Sequence, residues 1–129
     1  TSASSRSATW RQPSQVPHED AVFNVSRSAL LVAALTQSPE LLFEATEDRL
    51  HQNYRGEAMP ATRDLIRALR DEGHAAVVSG AGPSILVLAG GPAERLAAAE
   101  AAERAGEHWR ALFLAVDIKG ATVEEIPTA

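Results

Sequence analysis

Ala75-Ala76-Val77-Val78-Ser79-Gly80-Ala81-Gly82-Pro83-Ser84-Ile85-Leu86-Val87-Leu88 is the stretch on which the fold turns. An apolar strand enters Ser-Gly-Ala-Gly-Pro-Ser and a second apolar strand leaves it, which predicts a β-hairpin over 75–79 and 84–89. Gly80 and Gly82 open backbone angles closed to other residues and let a ligand approach the main chain. Pro83 fixes its own φ and biases Gly82 toward extended angles. The loop is therefore expected to be stiff, with backbone N–H groups facing an anion or polar substrate. Read alone, it fits an ordinary glycine-rich hairpin turn equally well. It is not a P-loop, because no Gly-Lys-Ser/Thr follows. It is not a dinucleotide fingerprint either, because a strand stands where a helix should open.

Helices are read outward from the hairpin. Upstream, Pro60 leads a helix over Ala61–Glu72 with apolar Leu65, Ile66, Ala68 and Leu69, and Gly73 is placed to stop it. Before it, 51–60 is polar and carries Gly56 and Pro60, so it reads as a loop or broken helix, where sites concentrate. Ser38-Pro39-Glu40 starts a helix running through Leu41, Leu42 and Ala45 to about Leu50. Pro17-His18-Glu19-Asp20 opens a longer one, with acidic residues at the positive end of the helix dipole and a broad apolar face from Ala21 to Leu35. Asn24, Arg27 and Ser28 interrupt that face. Residues 1–15 are an aperiodic lead-in whose Trp10 is expected to pack on the body. Downstream, 93–108 reads as an Ala- and Glu-rich helix. Leu112–Val116 and Ala121–Ile126 read as strands flanking a Lys119-Gly120 turn. The order α-α-α-β-β-α-β-β predicts an α+β domain, with helices packed on one face of a mostly antiparallel sheet.

Bulk properties narrow the function classes. A chain of 129 residues suits one domain with one modest core, and 45% apolar residues suit a globular protein. A formal net charge of −5 argues against a general nucleic-acid binder. No membrane span or signal-peptide pattern is read, and a cytoplasmic location is expected. Cysteine is absent, which excludes disulfides and thiolate metal sites. No catalytic set and no metal-ligand spacing is visible, so no catalytic residue and no metal ligand is assigned. His18, His51, His74 and His108 are scattered and read as surface or boundary residues. Arg55, in the irregular polar segment, suits a substrate carboxylate or phosphate. On the residues alone, a surface ion pair with Glu57 or Asp48 is the slightly preferred reading.

Three stretches carry a family resemblance. They are Val16-Pro17-His18-Glu19-Asp20-Ala21-Val22-Phe23-Asn24 into Arg27-Ser28-Ala29-Leu30-Leu31; Ala45-Thr46-Glu47-Asp48-Arg49-Leu50-His51-Gln52-Asn53-Tyr54-Arg55 with Met59-Pro60; and Ser79-Gly80-Ala81-Gly82-Pro83-Ser84. In order and spacing, over about residues 14–90, the chain resembles the C-terminal domain of the GHMP small-molecule kinases, and within them the actinobacterial homoserine kinases. The resemblance implies a ferredoxin-like C-terminal domain over 16–129, with 1–15 poorly ordered unless an N-terminal GHMP domain is present. It implies phosphoryl transfer from ATP, with Mg²⁺, to the hydroxyl of L-homoserine on the way to threonine. L-homoserine and ATP are the implied partners, together with the missing N-terminal domain and a homodimer; neither nucleic acid nor membrane is.

Residue by residue, Arg55 matches the arginine that holds the homoserine carboxylate. Ser79, Gly80, Ala81 and Gly82 match the glycine motif beside the phosphate loop, with Gly80 and Gly82 next to the amino acid. Asn24 and Ser5 are weaker substrate-binding matches. Two departures stand out. The motif Pro-x-x-x-Gly-Leu-Gly-Ser-Ser-Ala is absent, so the chain is expected to be a fragment, inactive alone, with the main ATP and Mg²⁺ groups upstream. Ser5 stands in place of a threonine and Thr9 in place of a second substrate-binding arginine, for which Arg11 substitutes only with a register shift. Another GHMP kinase with a different small alcohol, or a non-catalytic amino-acid-binding or regulatory module, is the alternative reading.

Overall fold

The hairpin forms as expected and divides the core. The computed structural model describes residues 13–106 and 108–123. Strands β1 (Ala75–Val78) and β2 (Ile85–Leu88) pair antiparallel, Ala75 opposite Leu88 and Val78 opposite Ile85. Side chains alternate across the pleat. Ala76, Val78, Ile85 and Val87 point to one cluster with Leu65, Ile66, Leu69, Ala98, Ala101 and Trp109. Ala75 and Leu88 point the other way, to Ala34, Leu42 and Ala45.

Helices α4 (Pro60–Asp71) and α5 (Pro92–Ala105) cover the first face. In α4, Thr62, Leu65, Ile66 and Leu69 are buried at i, i+3, i+4 and i+7, one stripe of a 3.6-residue period. Burying a side chain of Leu size contributes about 1.5–3 kcal/mol, so this stripe anchors the hairpin. Gly73, at φ +89°, ends α4: its N–H donates to Arg70 O at 2.9 Å and that of His74 to Leu69 O at 2.9 Å. These are the two bonds of a Schellman stop, and the expected role of Gly73 holds. In α5, Ala98 and Ala101 are small enough to bring the helix close to α4.

The second face is covered only in part. Helix α1 (His18–Thr36) and the short α2 (Leu42–Ala45) reach it at the Ala75–Leu88 end. Toward the hairpin tip that face stays open, and Leu86 is 42% exposed. Among the described residues α1 buries only Ala34, leaving Val22, Val25, Val32 and Leu35 more than half exposed.

Two expectations change, and the open reading of 51–60 as a loop or broken helix narrows to the second. The helix read from Ser38 to Leu50 is a 3₁₀ turn (Pro39–Leu41) and one helical turn, α2. Side chains end it early: Thr46 Oγ1 donates to Leu42 O at 2.8 Å, and Arg70 Nη2 donates to Phe43 O at 2.8 Å. The segment 51–60 contains a five-residue helix, α3 (Gln52–Gly56). Leu112–Val116 is not a strand, and the described residues hold a sheet of two strands only. An unbroken apolar run suits a strand covered on both faces, and no described layer offers that slot. The Lys119-Gly120 turn is present, with Gly120 N donating to Asp117 O. Residues 121–123 pair with nothing described; 124–126, like Ser5, Thr9, Trp10 and Arg11, lie outside the described residues.

Candidate functional site at the hairpin tip

A helix of five residues does not hold itself together in water. Helix α3 is fixed from outside at its start. The Asp48 carboxylate accepts the N–H groups of His51 at 2.7 Å and Gln52 at 2.6 Å on Oδ2. Its Oδ1 accepts Asn24 Nδ2 from α1 at 2.6 Å and meets His51 Nδ1 at 3.3 Å. Burial pushes the Asp48 carboxyl up, but the hydrogen bonds from Gln52, Asn24 and His51 outweigh it and hold it below its ordinary 3.8. One residue further, Gln52 Oε1 accepts Val78 N–H at 2.9 Å and ties α3 to the end of β1. At the far end Gly56 is buried, and a Cβ there would stand 3.0 Å from the Arg63 stem.

Arg55 projects from this fixed turn, and its Nη1 donates to Gly80 O at 2.6 Å. The irregular segment and the glycine loop, twenty-five residues apart, thus meet at one point. The loop is itself pinned. Ser79 N–H donates to Ser84 O at 2.8 Å and Gly82 N–H to Ser79 O at 3.0 Å. Buried Thr62, from α4, donates to Pro83 O at 3.0 Å. Gly80 sits at φ +57° and Gly82 at φ +78°, both in the left-handed region that favours glycine. The Gly82-Pro83 peptide is cis. No described group accepts from the Gly80 or Ala81 N–H, and both residues are exposed.

Between α1, the 46–52 turn and the open face of the hairpin lies a groove of about 480 Å³. Asn24, Arg27, Ser28, Thr46, Glu47, Asp48, His51, Gln52, Arg55 and Gly80 make its polar part, both acidic and basic, and Leu31, Leu35, Ala45, Val77, Val78, Leu86 and Leu88 its apolar part. From Asn24 to Leu35 the α1 axis runs about 16 Å at 1.5 Å per residue, enough for a small amino acid and a neighbouring group. Of the residues read as site candidates, Asn24, Arg55 and Gly80 line this groove, and Ser79, Ala81 and Gly82 belong to the loop that carries Gly80. The Asn24 amide is committed to the turn at both ends: Nδ2 to Asp48, and Oδ1 accepting Arg49 N–H at 2.9 Å. Each end keeps one further hydrogen-bonding position.

Residues 28–111 match the family described as GHMP kinases C terminal. The chain belongs to the GHMP kinase family. This GHMP kinase C-terminal domain is 66% identical over 116 residues to a homoserine kinase of Clavibacter michiganensis subsp. michiganensis, covering 89% of this chain and 37% of that one. To a homoserine kinase of Leifsonia xyli subsp. xyli it is 68% identical over 116 residues, 89% of this chain and 36% of that one. The chain therefore spans little more than a third of these relatives' length. A crystal structure of homoserine kinase from Cytophaga hutchinsonii shares the fold, with a TM-score of 0.67 and 23% identity over 81% of this chain and 34% of that one.

Several GHMP-domain residues that build the site escaped the sequence reading. Asp48 and Gln52 seat α3, and Thr62 and Met59 seat the loop. For Asp48 there was a local signal: an Asp side chain readily accepts backbone N–H groups of nearby residues, here those three and four positions on. Gln52 and Thr62 gave none, because their partners lie more than twenty residues away. Among the described residues no group of three His, Asp or Glu side chains is placed to hold a metal ion.

Proposed function

We propose that this domain supplies the amino-acid-binding part of a homoserine kinase. The observation that carries this reading is Arg55 seated on Gly80 O at the polar part of the groove. Seating Nη1 on a carbonyl fixes the direction of the guanidinium plane, and a planar guanidinium matches a carboxylate in shape and charge. High identity to homoserine kinases over 89% of the chain supports L-homoserine among small hydroxy amino acids.

In the proposed reaction the homoserine hydroxyl oxygen bonds to the γ-phosphorus of ATP. The bond from that phosphorus to the β,γ-bridging oxygen breaks, ADP departs, the hydroxyl proton is released, and O-phospho-L-homoserine results. This domain's contribution is positioning and charge complementarity, which phosphoryl transfer mostly requires. Arg55 orients the carboxylate, and the N–H groups of Gly80 and Ala81, which no described group accepts, can donate to an anion. Mg²⁺ would accompany ATP and screen phosphate charge; the described residues provide no ligand set for it. Its main groups, and those for ATP, belong in this reading to the upstream part that the relatives possess. That part docks on the open faces of α1 and the hairpin. A homodimer, a cytoplasmic setting and a place in threonine synthesis complete the proposal.

A coupled ADP-release assay tests it, with this chain alone and with the upstream part of a close relative, across homoserine, other small alcohols and no acceptor. Homoserine-dependent turnover only in the combined sample is expected. A preference for another alcohol would select a different GHMP kinase, and association without turnover a non-catalytic module.

A further inference from the structure

We infer that Asp48 is a positioning residue for Arg55, acting through α3; the inference deepens the homoserine-binding reading and rests on it. An ionised carboxylate has about four lone-pair sites. In Asp48 three are taken by donors of this chain: Asn24 Nδ2 on Oδ1, and the N–H groups of His51 and Gln52 on Oδ2. His51 Nδ1 stands 3.3 Å from Oδ1 and donates to it in the tautomer that carries a hydrogen there, so Asp48, although it lines the groove, is committed chiefly to the chain itself.

What those bonds do is join elements. Oδ1 holds α1 through Asn24, and Oδ2 holds the first turn of α3. Gln52, at the start of that turn, is tied in turn to Val78 N–H, next to the glycine loop. Arg55 follows three residues on, one helical turn later, and lands on Gly80 O. The path from Asp48 to the guanidinium therefore crosses a single turn of a helix too short to keep its shape unaided. Loosening its start moves Arg55 relative to the loop. A contact to a carboxylate that takes no part in the bond changes is made alike before and during reaction, so weakening it raises KM and leaves kcat.

Asp48→Asn keeps the size but sets an NH₂ against converging N–H donors on one side or the other. In a complete enzyme carrying these 129 residues, the expected result is a KM for homoserine raised roughly 10- to 100-fold, with kcat and the KM for ATP within about twofold. A purely structural role would instead lower active enzyme, and so kcat, at constant KM; that result overturns the inference. Gln52→Leu leaves the Asp48 cap in place and cuts the tether to Val78; it is the second variant should Asp48→Asn not fold, with the same KM change expected. The Arg55 Nε–Hε NMR signal of this chain, assigned by its loss in Arg55→Lys, reads the same claim without substrate. It should shift or broaden in both variants, and an unchanged signal overturns the inference. If the unmutated enzyme shows no homoserine-dependent turnover, the homoserine reading fails and the NMR signal alone decides the role of Asp48.

Discussion

Gly80 and Gly82 share a positive φ but not a neighbourhood. A Cβ on Gly80 would meet nothing within 4 Å, whereas one on Gly82 would stand 2.6 Å from Met59 Sδ and 3.3 Å from Val78 Cγ1. Alanine at either site forces a left-handed residue, which costs about 1–2 kcal/mol. At Gly82 the Met59 thioether must also swing aside. Thermal melts of the chain should therefore fall for both variants and further for Gly82→Ala, and a Met59→Ala background should narrow the gap. Thr62 makes a different residue-scale contribution. It is 2% exposed, and its hydroxyl donates to Pro83 O. Thr62→Val should lower the urea midpoint by about 0.5–1.5 kcal/mol of stability without changing the slope, because a hydrogen bond is lost and no surface is added.

At the scale of elements, α3 depends on one carboxylate, and that makes stability depend on pH. The folded state holds Asp48 below its ordinary 3.8. Its contribution is therefore complete above that value and is lost as pH falls through the lower folded value. Denaturation of the wild type and Asp48→Asn should differ most near neutral pH and converge as pH drops below 3.8; a gap independent of pH would contradict the assignment. The same element shows what the sequence could disclose. The hairpin, α4 and its Gly73 stop were legible because each rests on local pattern: β-branched runs, 3.6-residue spacing and a left-handed glycine. Helix α2 was overextended because Arg70, twenty-seven residues from Phe43, caps it. Half-buried Arg70 stacks on Phe43 as well; burial lowers its pKa, against the opposing pull of Glu47. Arg55 stood out as the cation of the one irregular segment, but its seat on Gly80 O rests on Asp48 and Gln52, whose partners are tertiary. Leu112–Val116 carries strand composition without a partner, which composition cannot supply.

On the scale of the molecule, α1 is apolar around most of its circumference yet buries one side. Such helices belong in interiors, and Val25 and Val32 stand 71% and 66% exposed. Val25→Glu with Val32→Glu should leave the stability of this chain within about 0.5 kcal/mol per site while abolishing association with the upstream part, as sedimentation would show. The central claim is narrower: Arg55 recognises the carboxylate of homoserine. The direct test compares wild type and Arg55→Ala in a complete enzyme, with L-homoserine and with 3-aminopropan-1-ol, which lacks the carboxylate. Removing one partner of such a charged pair costs about 2–5 kcal/mol. The account predicts a loss in kcat/KM of roughly 30- to 4,000-fold for homoserine and little change for the amino alcohol. Equal losses on both substrates, or none on homoserine, would contradict it.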